Sequence, residues 1–302
     1  MKFLTSVSAI AAACALTAST TVAEVATGPV WGYRVNDPSM VSTADWAGTF
    51  PACGGTRQSP IDIETTSAGG HTKQTGKSKT ALSFSGTCSQ YNMTEPHEPL
   101  DVVVVESSST CKAAANGVSY NMKQFHLHAP SEHTLDGEPL DGEIHFVHES
   151  DDGKALLVVG VFLQKAARSD GWLTPVLNGL DHVNSTDTHE SIIVKLRSYA
   201  TLVRKVIKAG AIFNYPGSLT TPGCDEIADW WVVQTPIKIS SADFDRLHKD
   251  LVEYHITDDG NNARPVQPLN GRLHDASPTF WFVAYNTTQA HRAFAMNCLL
   301  TP

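Results

Sequence analysis

Gln124-Phe125-His126-Leu127-His128-Ala129-Pro130-Ser131-Glu132-His133 opens the stretch on which the reading of this chain turns, and Gly142-Glu143-Ile144-His145-Phe146-Val147-His148 closes it. In the first part Gln124, His126 and His128 alternate with Phe125, Leu127 and Ala129. A period of two is that of a β-strand, so the three polar side chains share one face. Glu143 to Val147 alternate in the same way, and the polar, Gly- and Pro-containing stretch between can return the chain to an adjacent strand. Paired strands would let His145 converge with His126 and His128. Three neutral imidazoles with one open position are the ligand set of a catalytic zinc, not of a closed structural one.

A lone His on a sheet is more often an ordinary core or surface residue, and His-x-His on one strand face is only suggestive. A third His behind an acid, in Glu143-Ile144-His145, shifts the balance, because a metal-bound imidazole needs an acceptor on its other nitrogen. Gln124 and Glu143 are placed to be those acceptors.

Q-F-H-x-H-x-x-S-E-H followed by G-E-I-H-x-V-H resembles the alpha class of carbonic anhydrases. Further matches are V-W-G-Y at Val30–Tyr33, C-G-G-T-R-Q-S-P-I-D-I at Cys53–Ile63, Asn214–Cys224 with its Thr220-Thr221-Pro222, and N-x-R-P-x-Q-P-L-x-x-R at Asn262–Arg272, a signature that is chiefly structural in the family. The resemblance implies a mainly β fold: a single domain around a large, mostly antiparallel, twisted central sheet with peripheral helices. It implies zinc as cofactor on His126, His128 and His145, and reversible hydration of carbon dioxide by zinc-bound hydroxide. Zinc lowers the pKa of its water to about 7, a value taken over from carbonic anhydrases as a class.

The same resemblance implies that Thr220 and Glu132 orient the hydroxide and that Thr221 contacts substrate. Val147, Val158, Leu219 and Trp230 match an apolar wall for carbon dioxide, although plain core packing would use the same residues. His133 matches a buried residue bonded toward Tyr215 and is not a ligand. Tyr33 matches a rim residue that helps hold water, whereas Trp46 reads as a packing aromatic. A proton carrier to solvent suits a His. His97 is the nearest candidate, in a local text, T-E-P-H-E-P-L, that departs from the family pattern; an ordinary loop His is the competing reading. Cys53 and Cys224 match a disulfide of extracellular members, after which Cys88 would pair with Cys111 and Cys298 would remain, able to join two chains.

Residues 1–23 read as a secretory signal: Lys2, an apolar Ala-rich run from Val7 to Ala18, and Thr21-Val22-Ala23 before the cut. Residues 24–302 would then form the catalytic domain, exported, with no membrane span. Its 21 basic and 31 acidic residues leave a formal charge of −10, which argues against nucleic acid as a partner. An exported chain permits disulfides. Sequons at Asn92, Asn184 and Asn286 are candidate glycan sites.

Elsewhere the pattern predicts strands at Thr80–Ser85, Leu100–Glu106 and Ala155–Leu163, a polar turn region at Ser107–Gly117, and an amphipathic helix over 241–255 behind an N-cap at Ser240. Ser191–Lys208, with Lys195, Arg197, Arg204, Lys205 and Lys208, reads as a solvated face. Two rivals remain. A non-catalytic binding member would typically lack a zinc His, and all three are present. A zinc hydrolase of the helical type would carry H-E-x-x-H, which is absent; weak esterase action at the same zinc is a compatible side activity.

Overall fold

The computed structural model describes residues 30–65, 82–94, 101–183, 191–272 and 275–277. The signal segment, His97, Asn184, Asn286 and Cys298 lie outside them. Asn92 lies in a strand paired on both sides, opposite Ile193 and Val103.

The main sheet is built from β1 (Gln90–Thr94), β2 (Asp101–Val104), β3 (Val118–His128), β4 (Gly142–Ser150), β5 (Leu156–Ala166), β6 (Ile192–Lys195), β7 (Ile212–Gly217), β8 (Ala228–Ser240) and β9 (Asp275–Ser277). Their spatial order is β6-β1-β2-β3-β4-β5-β8-β7-β9, and a short ribbon of Ser83–Ser85 with Lys112–Ala115 pairs onto β3. Every pairing in this sheet is antiparallel except β5 with β8. The mostly antiparallel sheet expected from the resemblance is therefore present. Asp62–Ile63 pairs Thr134–Leu135 in a separate small sheet over the β3–β4 connection.

The central strands are buried on both faces, and β5 reads L-L-V-V-G-V-F-L as such a strand should. One face, with Phe125, Phe146, Val159 and Trp231, packs under α1 (Thr174–Leu180), α2 (Tyr199–Ile207) and α3 (Ser241–Glu253). The opposite face carries Val158, Phe162, Tyr215, Trp230 and Val232 against Ile61 and Ile63. Each large aliphatic side chain so buried contributes about 1.5–3 kcal/mol.

The helix over 241–255 is present as α3, and Ser240 Oγ accepts from Asp243 N at 3.1 Å as an N-cap. The solvated-face reading of Ser191–Lys208 needs correction. Tyr199, Leu202, Val203, Val206 and Ile207 are all buried on one side of α2. Only the opposite side is charged: Lys205 pairs with Asp170 at 2.7 Å, while Arg204 donates to Phe84 O. The predicted turn at Ser107–Gly117 contains the strand Lys112–Ala115.

Disulfides join Cys53 to Cys224 and Cys88 to Cys111. Among the described residues no helix is long and apolar enough to cross a membrane.

Candidate metal centre

Register brings the predicted residues together. Across β3, β4 and β5, His126 faces His145, which faces Gly160; one step along, His128 faces Glu143, which faces Phe162. One step the other way, Gln124, Val147, Val158, Trp230 and Tyr215 form a single cross-strand row. All lie on the face away from the helices.

Hydrogen-bond partners decide which ring nitrogen carries the proton. Gln124 Oε1 lies 2.8 Å from His126 Nδ1, and the carbonyl of Asn262 lies 2.8 Å from His128 Nδ1. Both oxygens can only accept, so both Nδ1 atoms donate and each Nε2 keeps a bare lone pair. His145 is turned over: its Nε2 stands 3.1 Å from Glu143 Oε1 without hydrogen-bond geometry, and its Nδ1 faces His126. One ring nitrogen from each of the three histidines lies within 4.8 Å of the others, and His126 Nε2 and His145 Nδ1 are only 3.3 Å apart. At that distance the two nitrogens either share a proton or face a cation lying between them.

His128 Nε2 and Glu132 Oε2 are buried without a hydrogen-bond partner, 3.5 Å apart. Buried polar atoms are rarely left so. Burial, followed by the charges that His128 and His145 would carry, holds His126 well below the usual imidazole range, although its surface is only half-buried. Burial likewise lowers His128, against the opposing pull of Glu132. Burial works to raise the Glu143 carboxyl, but His133 and His145 beside it outweigh that and hold it well below the usual range. Neutral nitrogens around a buried cation site, with acceptors behind two of them that fix the tautomer, are what zinc requires.

His133 is bonded through Nδ1 to Glu143 Oε1 at 2.8 Å and through Nε2 to Tyr215 OH at 2.7 Å. Trp230 sets its ring edge-on to His145 and His133, with centroids 4.7 and 4.8 Å away, and its indole donates to Ser218 O. Trp231 points into the opposite core. Val158 is buried, while Val147 and Leu219 are half-buried beside it. Thr220 is buried and Thr221 O accepts from Cys224 N at 2.8 Å. No hydrogen bond joins Thr220 to Glu132, whose Oε1 accepts from Arg264 N at 2.9 Å. Tyr33 is buried edge-on to Trp31 and Trp46.

Sequence reasoning missed Gly160 and the carbonyl of Asn262. A Gly inside the apolar run of β5 is a signal of close approach. A backbone carbonyl leaves no signal at all.

The chain matches the sequence profile of the family described as eukaryotic-type carbonic anhydrase over residues 41–277. It is 31% identical over 247 residues to a carbonic anhydrase of Neisseria gonorrhoeae, covering 80% of this chain and 86% of that one. The alpha-carbonic anhydrase of Thermovibrio ammonificans, solved with the inhibitor sulfanilamide, superposes with a TM-score of 0.64 at 28% identity, covering 82% of this chain and 99% of that one. Dioscorin DB3L of Dioscorea polystachya is 30% identical over 174 residues, 57% of this chain and 60% of that one. With the profile spanning most of its length, this chain belongs to the eukaryotic-type carbonic anhydrase family.

Proposed function

We propose that the protein hydrates carbon dioxide reversibly at a zinc ion held by His126 Nε2, His128 Nε2 and His145 Nδ1. The observation that carries this reading is the convergence of three histidine ring nitrogens, two of them 3.3 Å apart. When bound there, zinc supplies the positive charge that makes a water a hydroxide-like nucleophile near neutral pH. Neutral imidazoles suit that task because thiolates would cancel the charge.

The remaining work belongs to the chain. Glu132 Oε2 is a buried acceptor in need of a donor. Thr220 donates its hydroxyl hydrogen there and accepts, at Oγ1, a hydrogen from the attacking oxygen. That order of donors fixes which lone pair faces the substrate. Thr221 contacts substrate and product. Carbon dioxide is apolar and sits against Val147, Val158, Leu219 and Trp230, which also exclude water from its far side. Gln124 and Glu143 hold the tautomers of His126 and His145, His133 holds Glu143, and Tyr33 helps to hold water at the rim. His97 carries the proton to solvent. Weak ester hydrolysis follows from the same nucleophile. Two disulfides within the chain suit an oxidising compartment, in keeping with export behind residues 1–23.

Stopped-flow hydration of carbon dioxide by the chain from Glu24, in a pH indicator, tests this. The rate should rise with pH through about 7 and vanish when zinc is chelated. Thr220→Ala should lower kcat about a hundredfold, the scale of losing one oriented hydrogen-bonding group at a reacting atom. Zinc-loaded protein with no rate above buffer would make it a zinc-stabilised binding protein instead.

A further inference from the structure

β2 brings an acidic side chain to the face of the metal centre. Val102 and Val104 lie in the helix-side core, so strand alternation sends Asp101 and Val103 to the face that carries the histidines. Val102 stands opposite Phe125 and Val103 opposite Gln124, and the next step of that register sets Asp101 across from His126. Side chains so placed have Cβ atoms about 5 Å apart. His126 and Gln124 are half-buried, whereas His128 and His145 are buried, so this is the side by which an incoming ligand reaches the centre. Asp101 is itself half-buried there, and burial pushes its carboxyl up to about 6. It is therefore ionised at about pH 8. Among the described residues its carboxylate has no hydrogen-bond or ion-pair partner. Lys123, the cation beyond Gln124 on β3, is engaged by Glu149 at 3.2 Å and Glu106 at 3.9 Å. Nor is Asp101 a fourth ligand, for its oxygens lie outside the cluster of His126, His128 and His145 donor atoms.

We propose that Asp101 is a specificity-determining residue, a fixed negative charge beside His126 that disfavours anions at the metal centre and leaves neutral molecules unaffected. This rests on the reading that His126, His128 and His145 hold a divalent cation. Such a cation attracts any small anion, and the bicarbonate released by hydration is one. Carbon dioxide is neutral. A carboxylate on the entry side therefore weakens the hold on product and on anionic inhibitors but not on substrate, as an unpaired charge set against the wrong ligand does. A structural role is the alternative, and the setting argues against it. Burial opposes the charge, and no partner among the described residues compensates it. An apolar side chain like Val103, or a neutral amide like Asn92 on β1, would occupy this face at lower cost. Glu132 and Glu143 do not serve the same end, since both are fully buried beside His128 and His145, whereas Asp101 faces the entry.

The test is Asp101→Asn, which keeps the shape and removes the charge, in the chain from Glu24 loaded with cobalt(II). The visible bands of cobalt report its coordination, where zinc is silent. Thiocyanate titrated at about pH 8 should bind about two- to thirtyfold more tightly than in wild type, the range for a unit charge roughly 8 Å away at an effective dielectric of about 80 down to 20. Imidazole, a neutral metal ligand, should bind both proteins equally. Asp101→Glu keeps the charge and should stay close to wild type with both probes. Asp101→Ala is a second neutral variant, which should behave as Asp101→Asn does and carries the test where that variant does not fold. In the zinc-loaded protein, bicarbonate should inhibit hydration more strongly in the neutral variants by a similar factor. Equal thiocyanate affinity in wild type and a folded neutral variant overturns the proposal. So does a tightening that imidazole shares equally, which would mean a widened cleft and not a lost charge. Metal-loaded wild type that hydrates no carbon dioxide sinks the enzymatic reading alone, and the comparison of thiocyanate with imidazole still decides Asp101. A chain that takes up no divalent metal overturns both.

Discussion

Gly160 stands opposite His145 across the β4–β5 ladder, and a Cβ added there would lie 2.5 Å from Glu143 Oε1. The missing side chain is what lets the Glu143 carboxylate reach His145 Nε2. That carboxylate cannot simply move aside, since its Oε2 accepts from the backbone of Glu132 and His133 at 3.1 and 2.9 Å. Gly160→Ala should therefore cost His145 its acceptor and weaken zinc binding ten- to a hundredfold, about 1.4–2.7 kcal/mol. Chelator competition measures it, and an affinity equal to wild type would show that Glu143 does not support the ligand.

His148 lies one face over from these residues and is fully buried. Its Nδ1 is bonded to Leu157 O at 3.0 Å and its Nε2 to Tyr199 OH at 2.6 Å. Burial pushes its pKa down to about 4 from an ordinary 6.5. On acidification the unfolded chain takes up this proton first. The contribution of His148 to stability is thus complete above pH 6.5 and is lost as pH falls from there to about 4, by up to about 3 kcal/mol. Urea unfolding across that range should show a shallower loss in His148→Gln than in wild type. Parallel curves would remove His148 from the acid response.

The site face was legible because Gln124, His126 and His128 keep strand alternation through the whole ligand run, and Glu143–His145 repeats it. Two things were not. Extended back through Met122 and Tyr120, the same alternation puts those residues beside the histidines. In the structure they face the helix-side core instead, because Met122 pairs with His148 whereas Gln124 pairs with Val147, leaving Lys123 as an extra residue. A bulge is a single-residue event and has no compositional mark in M-K-Q. The α2 helix was missed for another reason: its apolar residues keep helical spacing, but the five basic side chains of Ser191–Lys208 drew the reading toward solvent. Element identity there is set by what the segment packs on, here Phe84 and Phe146 around Tyr199. Which ring nitrogens of His126 and His128 are left without an acceptor depends on partners as remote as the Asn262 carbonyl, which no local pattern carries.

Deleting Lys123 should expose the role of the bulge. The ligand half of β3 is held by β2, by β4 and by Asn262, so the upstream half should slip by one residue and swing Tyr120 and Met122 out of the core. Each such loss costs about 2–5 kcal/mol. Lys123→Ala keeps the residue count and removes the partly exposed pairings with Glu149 and Glu106, worth about 1 kcal/mol or less each. Urea midpoints of the two variants separate the effects, and similar midpoints would mean the strand accommodates either register.

The disulfides should differ in kind as well as in size. Cys53–Cys224 spans 171 residues and Cys88–Cys111 spans 23, so the chain-entropy model gives them about 5 and about 3 kcal/mol. Only the first adjoins the metal centre's support, since Cys53 O accepts from Arg264 and Cys224 O from Gln58. Cys88–Cys111 instead ties the turn before β1 to the Lys112–Ala115 strand of the ribbon. Replacing each pair with Ser should lower the unfolding free energy in that order, yet only the Cys53–Cys224 variant should also bind zinc more weakly at temperatures where both remain folded. Equal zinc affinities in the two variants would confine the long disulfide to stability and cut its link to Glu132.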